Sequence, residues 1–383
     1  MHCRHSGVCG GCSLLHLSYS DQLSGKEASL RRLLGPYLPS TRQPLFLPVP
    51  AQSESPEHFR HKVAFVFAPG ANGRGLVMGH YQRGSRRVVA VEECPVHSAR
   101  GNRIAFALRD FLQRAGISAA GPYSDGILRH LIIRTTADER QAVAMLVVTR
   151  NDKSLRAPIR AFLESAERPD GFFVNIHDED SPYMVGDRTL KIAGAAHVRE
   201  QVGGVSYLIS PTAFFQTNIA AASVLQSYVV AAVAGGSRVL DLYCGSGLFS
   251  LPIAARGARV LGVEENRQAT DDAALNARLN HIPTSRVRFS SARVEDAVRS
   301  ASREPWDAVI LDPPRQGCSE QVLEAVFQEM APPRVVYVSC NPESLAAELP
   351  GIVQCGYAVE ELRAVDMFPH TEHVEAIVRL RLA

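Results

Sequence analysis

Arg238-Val239-Leu240-Asp241-Leu242-Tyr243-Cys244-Gly245-Ser246-Gly247 is the stretch on which the reading of this 383-residue chain turns. A short apolar run of strand character ends in an acid and passes into a turn. The glycines of that turn permit a tight bend and the close approach of backbone to a ligand. A second run, 259–264, ends in Glu264, about twenty residues farther on, where a carboxylate accepts hydrogen bonds from ribose hydroxyls. A dinucleotide fingerprint asks for a third glycine, and position 250 is Ser250. Asp241 would repel a pyrophosphate but favours a cationic, phosphate-free nucleoside. S-adenosylmethionine, which carries a sulfonium and an amino group, fits that description better than a nicotinamide dinucleotide.

Outward from this stretch the chain keeps alternating. Strand character recurs at 238–242, 259–264, 287–289, 308–311, 334–338 and 374–380, and helical character at 219–234, 248–255, 267–279, 320–329 and 342–349. Such alternation predicts an α/β fold with a parallel, doubly wound sheet, whose ligands lie at the carboxyl ends of the strands. Upstream the style differs. Runs at 63–67, 88–91, 128–135 and 142–149, a Gly-rich turn at 70–75 and a helix at 155–166 predict an α+β module over 51–205. Residues 13–35 predict a helix with Leu23, Leu30 and Leu34 inside and Asp21, Gln22, Lys26, Glu27, Arg31 and Arg32 outside. Six prolines in 35–56 read as a linker. The expected division is 1–50, an N-terminal Cys-cluster segment with its linker; 51–205, the central domain; and 206–383, the catalytic domain.

The strand ends carry the chemistry. The fourth strand runs into Asp312-Pro313-Pro314-Arg315. Rossmann-like methyltransferases often carry an aromatic at the fourth place of this motif, stacked on an amino-bearing base, and Arg315 argues against such an acceptor. The fifth runs into Ser339-Cys340-Asn341-Pro342, so Cys340 opens a helix, and a helix N-terminus is expected to lower its pKa. The last strand follows Met367-Phe368-Pro369-His370-Thr371-Glu372-His373-Val374-Glu375. Alternation places His373 and Glu375 on one face and Glu372 on the other. An acid inside an otherwise apolar strand is costly without a role or partner.

Two features lie outside the sheet. Cys3, Cys9 and Cys12, joined by Cys94, supply four thiolates, enough for tetrahedral zinc or an iron–sulfur cluster, with His2, His5, His16 and His97 as spare ligands. Net charge is only +2, so a nucleic-acid reading rests on local charge. Positions 58–91 hold Arg60, Lys62, Arg74, Arg83, Arg86 and Arg87, no Asp or Glu, and the aromatics Phe59, Phe65, Phe67 and Tyr81; Arg129, His130 and Arg134 add to the same module. This predicts an RNA-binding face. No apolar run is long enough to span a bilayer, the first fifteen residues hold no apolar signal core, and no obligate protein partner is evident, so a cytoplasmic enzyme with reduced thiols is expected.

Together these motifs resemble the RNA uracil-C5 methyltransferase family. The resemblance rests on Phe214-Phe215-Gln216-Thr217-Asn218, the Asp241–Gly247 turn, Asp312-Pro313-Pro314-Arg315-x-Gly317, Ser339-Cys340-Asn341-Pro342 and the 367–375 run, with Phe59-Arg60-His61-Lys62 opening the central domain. It implies a class I, Rossmann-like, S-adenosylmethionine-dependent methyltransferase domain beside the α+β domain. It also implies that Cys340 is the nucleophile, that Glu375 is the base, and that Gln216, Tyr243, Gly245, Glu264 and Asp312 are cofactor or active-site contacts. Position 248, often Asn or Gly in the family, is Leu248; one cofactor contact is then missing or made by backbone. The four cysteines resemble the ribosomal-RNA branch, which implies a [4Fe–4S] cluster and 23S rRNA as substrate.

Overall fold

The computed structural model describes residues 2–38, 45–50, 56–70, 75–121, 124–179 and 184–383. Parts of the 35–56 linker, Arg74 and most of the 70–75 turn lie outside the described residues.

The first helix, α1 (Tyr19–Leu34), starts where Ser18 accepts a hydrogen bond from the Asp21 N–H, with an acid in its first turn and Arg31 and Arg32 in its last. Its buried face is Gln22, Lys26, Leu30 and Leu34, a repeat of four. Gln22 and Lys26 are thus inside, not outside as their polarity suggested. Each has a partner that only the tertiary structure supplies. Lys26 Nζ lies 2.7 Å from Asp366 Oδ1, both side chains being almost fully buried. Gln22 donates to the Leu14 and Leu17 carbonyls and accepts from the His370 N–H.

The central module contains β1 (Lys62–Pro69), β2 (Leu76–Tyr81), β3 (Val88–Ala90), α2 (Ala99–Arg114), the short pair β4 (Ala120–Gly121) and β5 (Ser124–Asp125), β6 (Leu128–Thr135), β7 (Ala142–Val148), α3 (Arg156–Leu163), β8 (Gly171–Ile176) and β9 (Arg188–Gly194). Seven of these strands form one sheet in the order β3-β2-β1-β6-β7-β8-β9. β7 is buried at every residue because α2 and α3 cover one face, while Val143, Met145 and Val147 on the other face join the core of the catalytic half. A hairpin of β10 (Val198–Val202) and β11 (Val205–Ile209) follows. A division at 205/206 falls inside this hairpin.

The catalytic half runs α4 (Ile219–Ala232), β12 (Arg238–Leu242), α5 (Ser250–Ala255), β13 (Arg259–Glu264), α6 (Arg267–Leu279), β14 (Val287–Ser291), α7 (Val294–Ala301), β15 (Ala308–Leu311), α8 (Glu320–Glu324), which continues as a π-helical stretch over Ala325–Met330, then β16 (Arg334–Ser339), α9 (Pro342–Gln354), β17 (Tyr357–Val365) and β18 (Glu375–Leu382). Asn276 and Asp272 of α6 accept from the Leu208 and Ser210 N–H groups, which ties the hairpin to this half. The sheet order is β14-β13-β12-β15-β16-β18-β17. Five strands are parallel, as alternation predicts, but β18 runs antiparallel to β16, and β17, which the sequence reading did not anticipate, runs antiparallel to β18. Part of the presumed linker is built into this sheet. Leu45 is buried, and the Leu45 carbonyl and Leu47 N–H both bond Ala364, which covers the outer edge of β17.

Candidate active site

The parallel strands deliver their carboxyl ends to one cavity of about 980 Å³. Tyr243, Gly245 and Leu248 follow β12, Glu264 ends β13, Asp312 follows β15, Cys340 follows β16, and Glu375 begins β18. Gln216, from the loop before α4, completes the group. All seven non-metal residues singled out in the sequence therefore line the same space. The turn after β12 needs an unusual backbone: φ is 65° at Tyr243 and 87° at Gly247. A side chain at Gly247 would also press on Leu251 and Phe289. Leu248 lines the cavity, but its carbonyl accepts from Tyr207 Oη and Gln226 Nε2, so that oxygen is not free to replace a missing side-chain contact.

The cavity is acidic. Asp241 is fully buried; Ser250 Oγ donates to one of its oxygens, and the other has no partner. Burial, countered in part by Ser250, moves the Asp241 carboxyl up to about 7, with Glu264 adding repulsion. Burial, then Asp241 and Glu264, moves Asp312 up to about 8. Glu375 is 3% exposed, and burial followed by repulsion from Asp312 raises it far above the carboxylate range. These groups repel one another, and Asp241, buried behind the cavity wall, keeps one oxygen without a partner.

Cys340 sits half-buried between Ser339 and Asn341, whose side chain donates to the Arg315 carbonyl at 2.8 Å. The expectation of a lowered thiol pKa is not met. Burial first, then the Glu375 and Asp312 carboxylates, push it up to about 11, and the Arg315 guanidinium offsets only part of this. The helix start was legible in sequence; burial, with the two carboxyls distant in the chain behind it, outweighs it. Glu372 also lines the cavity, but on its exposed side and paired with Arg83 at 3.4 Å, while Glu375 is buried in the wall. His373, expected beside Glu375, is exposed, with Nδ1 3.1 Å from Arg315 Nη2. Phe214, 64% exposed, lines the cavity and was not singled out on its own; an aromatic beside the Gln216 motif was the available signal.

The loop leading into β18 is gripped from the N-terminus. The Ser13 and Leu14 N–H groups donate to the His370 carbonyl, and a His370 ring nitrogen lies 2.7 Å from the Pro56 carbonyl oxygen. Just upstream, Cys3, Cys9, Cys12 and Cys94 line a second, small cavity together with His5, His80 and His97. Gly11, Cys12, Arg60 and Val96 belong to the walls of both cavities. Burial and the neighbouring thiols push Cys12 up to about 12; burial pushes Cys94 up to about 11, against two backbone N–H contacts. His80 was not among the spare ligands read from the sequence, whereas His2 and His16 are exposed and do not line this cavity.

The predicted basic face is smaller than the sequence suggested. Arg83, Arg86 and Arg87 are exposed around the β2–β3 turn, beside the exposed Tyr81. Arg134 is buried and donates to the Ala213 carbonyl, and Arg129 donates to the His177 and Glu179 carbonyls. Arg60 is shared between the two cavities, and burial brings Lys62 down to about 7. These residues hold loops and module contacts together, and basic composition alone does not separate such roles from phosphate binding.

The sequence profile of the tRNA (uracil-5-)-methyltransferase family matches residues 187–382. An uncharacterized RNA methyltransferase of Listeria innocua is 32% identical over 99% of this chain and 83% of its own length. One from Gloeobacter violaceus is 34% identical over 97% and 80%, respectively. The crystal structure of Pyrococcus abyssi tRNA (uracil-54, C5)-methyltransferase in complex with S-adenosyl-L-homocysteine superposes with a TM-score of 0.79 at 28% identity, covering 97% of this chain and 84% of that one. With these matches along its whole length and a Rossmann-like sheet that carries the family motifs at its strand ends, the chain belongs to the tRNA (uracil-5-)-methyltransferase family of RNA methyltransferases.

Proposed function

We propose that the protein methylates C5 of a uracil in RNA, through a covalent bond between Cys340 and uracil C6. One observation carries the reading: a single cavity holds a thiol, a buried carboxyl and an acid-rich set of strand ends. S-adenosylmethionine would supply an electrophilic methyl group on a sulfonium, and its positive charge suits Asp241, Glu264 and Asp312. Support for this donor comes from the Pyrococcus abyssi relative, which was solved with S-adenosyl-L-homocysteine. Uracil C5 is a poor nucleophile. Cys340, once deprotonated, adds to C6 and moves electron density to C5, which takes the methyl group. Glu375 then removes the C5 proton, the C5–C6 double bond reforms and the Cys340 sulfur leaves. The raised thiol makes deprotonation the step that most needs a nearby positive charge. The target base must leave its stack to enter the cavity.

The substrate in this reading is 23S rRNA in the cytoplasm, with the four thiols holding a [4Fe–4S] cluster. A single zinc with Zn–S bonds of about 2.3 Å would draw its sulfurs to about 3.8 Å of one another. Among the described residues no three of the four thiols gather within 4.8 Å, although all four line one cavity. That wider ring suits a polynuclear cluster better than zinc. Among the described residues no helix is long and apolar enough to cross a membrane.

The test is methyl transfer by anaerobically purified protein to unmodified 23S rRNA and to tRNA, with the nucleosides mapped by mass spectrometry. The expected product is 5-methyluridine in 23S rRNA, with none from Cys340→Ala, which still binds S-adenosylhomocysteine. Methylation of tRNA alone would move the substrate; methylation at another atom would overturn the reaction.

A further inference from the structure

We propose that His80, Cys94 and His97 form a second, mononuclear metal site for a borderline divalent cation of the zinc or ferrous kind, sharing Cys94 with the four-thiol set. The inference needs none of Cys3, Cys9 and Cys12, but it shares Cys94 with the cluster reading, so the two arrangements are alternative states of one segment.

The donors come first. One ligand atom from each of His80, Cys94 and His97 lies within 4.8 Å of the other two. Bond lengths of about 2.0–2.3 Å to nitrogen and sulfur put tetrahedral donors roughly 3.3–3.8 Å apart, so the trio needs only a small contraction. One imidazole and one thiolate of mixed softness, with a second imidazole beside them, select zinc, cobalt or ferrous iron over magnesium or calcium.

The second observation is what these donors lack. His97 is 2% exposed, and its Nδ1 is buried with no hydrogen-bond partner; His80 Nε2 is likewise buried and unpartnered. A buried ring nitrogen left without a partner is costly unless something occupies it. The rings are nevertheless held in place. His80 stacks on Phe65 with centroids 5.1 Å apart, and His97 meets the same ring edge-on at 5.1 Å. Cys94 is fixed from behind, because its carbonyl accepts from the His97 N–H and from Asn102 Nδ2. Two orphaned ring nitrogens held by one aromatic beside a thiol form a ligand set built before the ion arrives.

The fourth position faces a cavity that also holds His5, Cys3, Cys9 and Cys12. Water or one of these side chains completes the shell. Because Cys94 serves one metal arrangement at a time, a single ion on this trio bars a cluster that needs Cys94. The site therefore selects between a mononuclear and a polynuclear state of the N-terminal segment.

The test uses the full chain with Cys3, Cys9 and Cys12 changed to Ser, made metal-free under anaerobic conditions and titrated with Co²⁺. The expected result is one tightly bound Co²⁺ with tetrahedral ligand-field bands and the charge-transfer intensity of one thiolate. Adding His97→Gln or His80→Gln should weaken binding by more than the roughly 10–100-fold seen when only outer partners of a metal ligand are lost. Absence of stoichiometric Co²⁺ in folded variant, or binding that ignores both histidine changes, overturns the proposal. If the triple variant fails to fold, zinc-loaded wild-type chain decides by X-ray absorption. A first shell with two nitrogens from imidazole supports the trio, and an all-sulfur shell overturns it.

Discussion

The two neighbouring cavities both crowd like groups together, but they are built on different supports. In the acidic cavity Glu264, Asp312 and Glu375 sit at the end of a sheet strand or just beyond one, so strand register sets their place. In the thiol-lined cavity none of the four cysteines lies in a helix or a strand of a sheet. The backbone that carries the first three is held by a few contacts: the Gly10 N–H to the Tyr81 carbonyl, the Arg83 N–H to the Val8 carbonyl, and Ser13 and Leu14 to the His370 carbonyl. A site resting on a seven-stranded sheet keeps its shape without a ligand. The thiol-lined site rests instead on those few contacts, two of which also reach the loop that leads to Glu375.

The largest effect that sharpens this contrast is expected at the buried pair that ties α1 to the segment just after β17. Lys26→Met leaves the Asp366 carboxylate buried without its cation, which typically costs about 3–5 kcal/mol. Urea unfolding should show a lower midpoint, and Lys26→Met combined with Asp366→Leu should regain much of it. Affinity for S-adenosylhomocysteine should change little in the folded single variant. A collapse of that affinity would mean that the acidic cavity leans on α1 and not on its strands alone.

A smaller effect tests whether the acidic cavity waits for a cation. Asp241 and Asp312 are raised to about 7 and about 8. Both values lie above those of an unfolded chain, so the folded state holds more protons between roughly pH 4 and pH 8, and the ligand-free protein loses stability as pH rises through that window. Binding of a sulfonium favours the ionised carboxylates and should release up to about one proton near pH 7. Calorimetry in buffers of different ionisation heat should show more release with S-adenosylmethionine than with neutral S-adenosylhomocysteine, and less with Asp312→Asn. Equal release from the two ligands would contradict a charge-driven fit.

The same contrast explains what could be read from the sequence. Motifs at strand ends were legible because a strand fixes both position and facing: Glu264, Asp312, Cys340 and Glu375 all reach one cavity. Gln22, Lys26 and His80 were not, since their partners are hundreds of residues away or on another strand, and nothing in their local pattern announces a buried ion pair or a ring stacked on Phe65. β17 was missed because its half-buried residues break the apolar run by which strands are recognised. The Cys340 pKa was misjudged for a related reason: local geometry suggested the helix start, while burial first and then non-local carboxyls raise the thiol.

The smallest expected effect concerns RNA. Arg86→Ala with Arg87→Ala should weaken binding and flatten the slope of log affinity against log salt by up to about 1.4, the share of two phosphate contacts on a single strand. An unchanged slope would move the RNA face away from the β2–β3 turn.

The most direct measurement compares Glu375→Gln with Glu372→Gln during turnover on RNA. Glutamine keeps size and polarity but does not take the C5 proton, a contribution typically worth about 10²–10⁴-fold in rate. Glu375→Gln should accumulate a methylated protein–RNA adduct that survives denaturing electrophoresis and disappears when Cys340→Ala is added, while Glu372→Gln, exposed and paired with Arg83, releases product normally. Trapping by Glu372→Gln with free turnover by Glu375→Gln, or no adduct from either, would contradict the account.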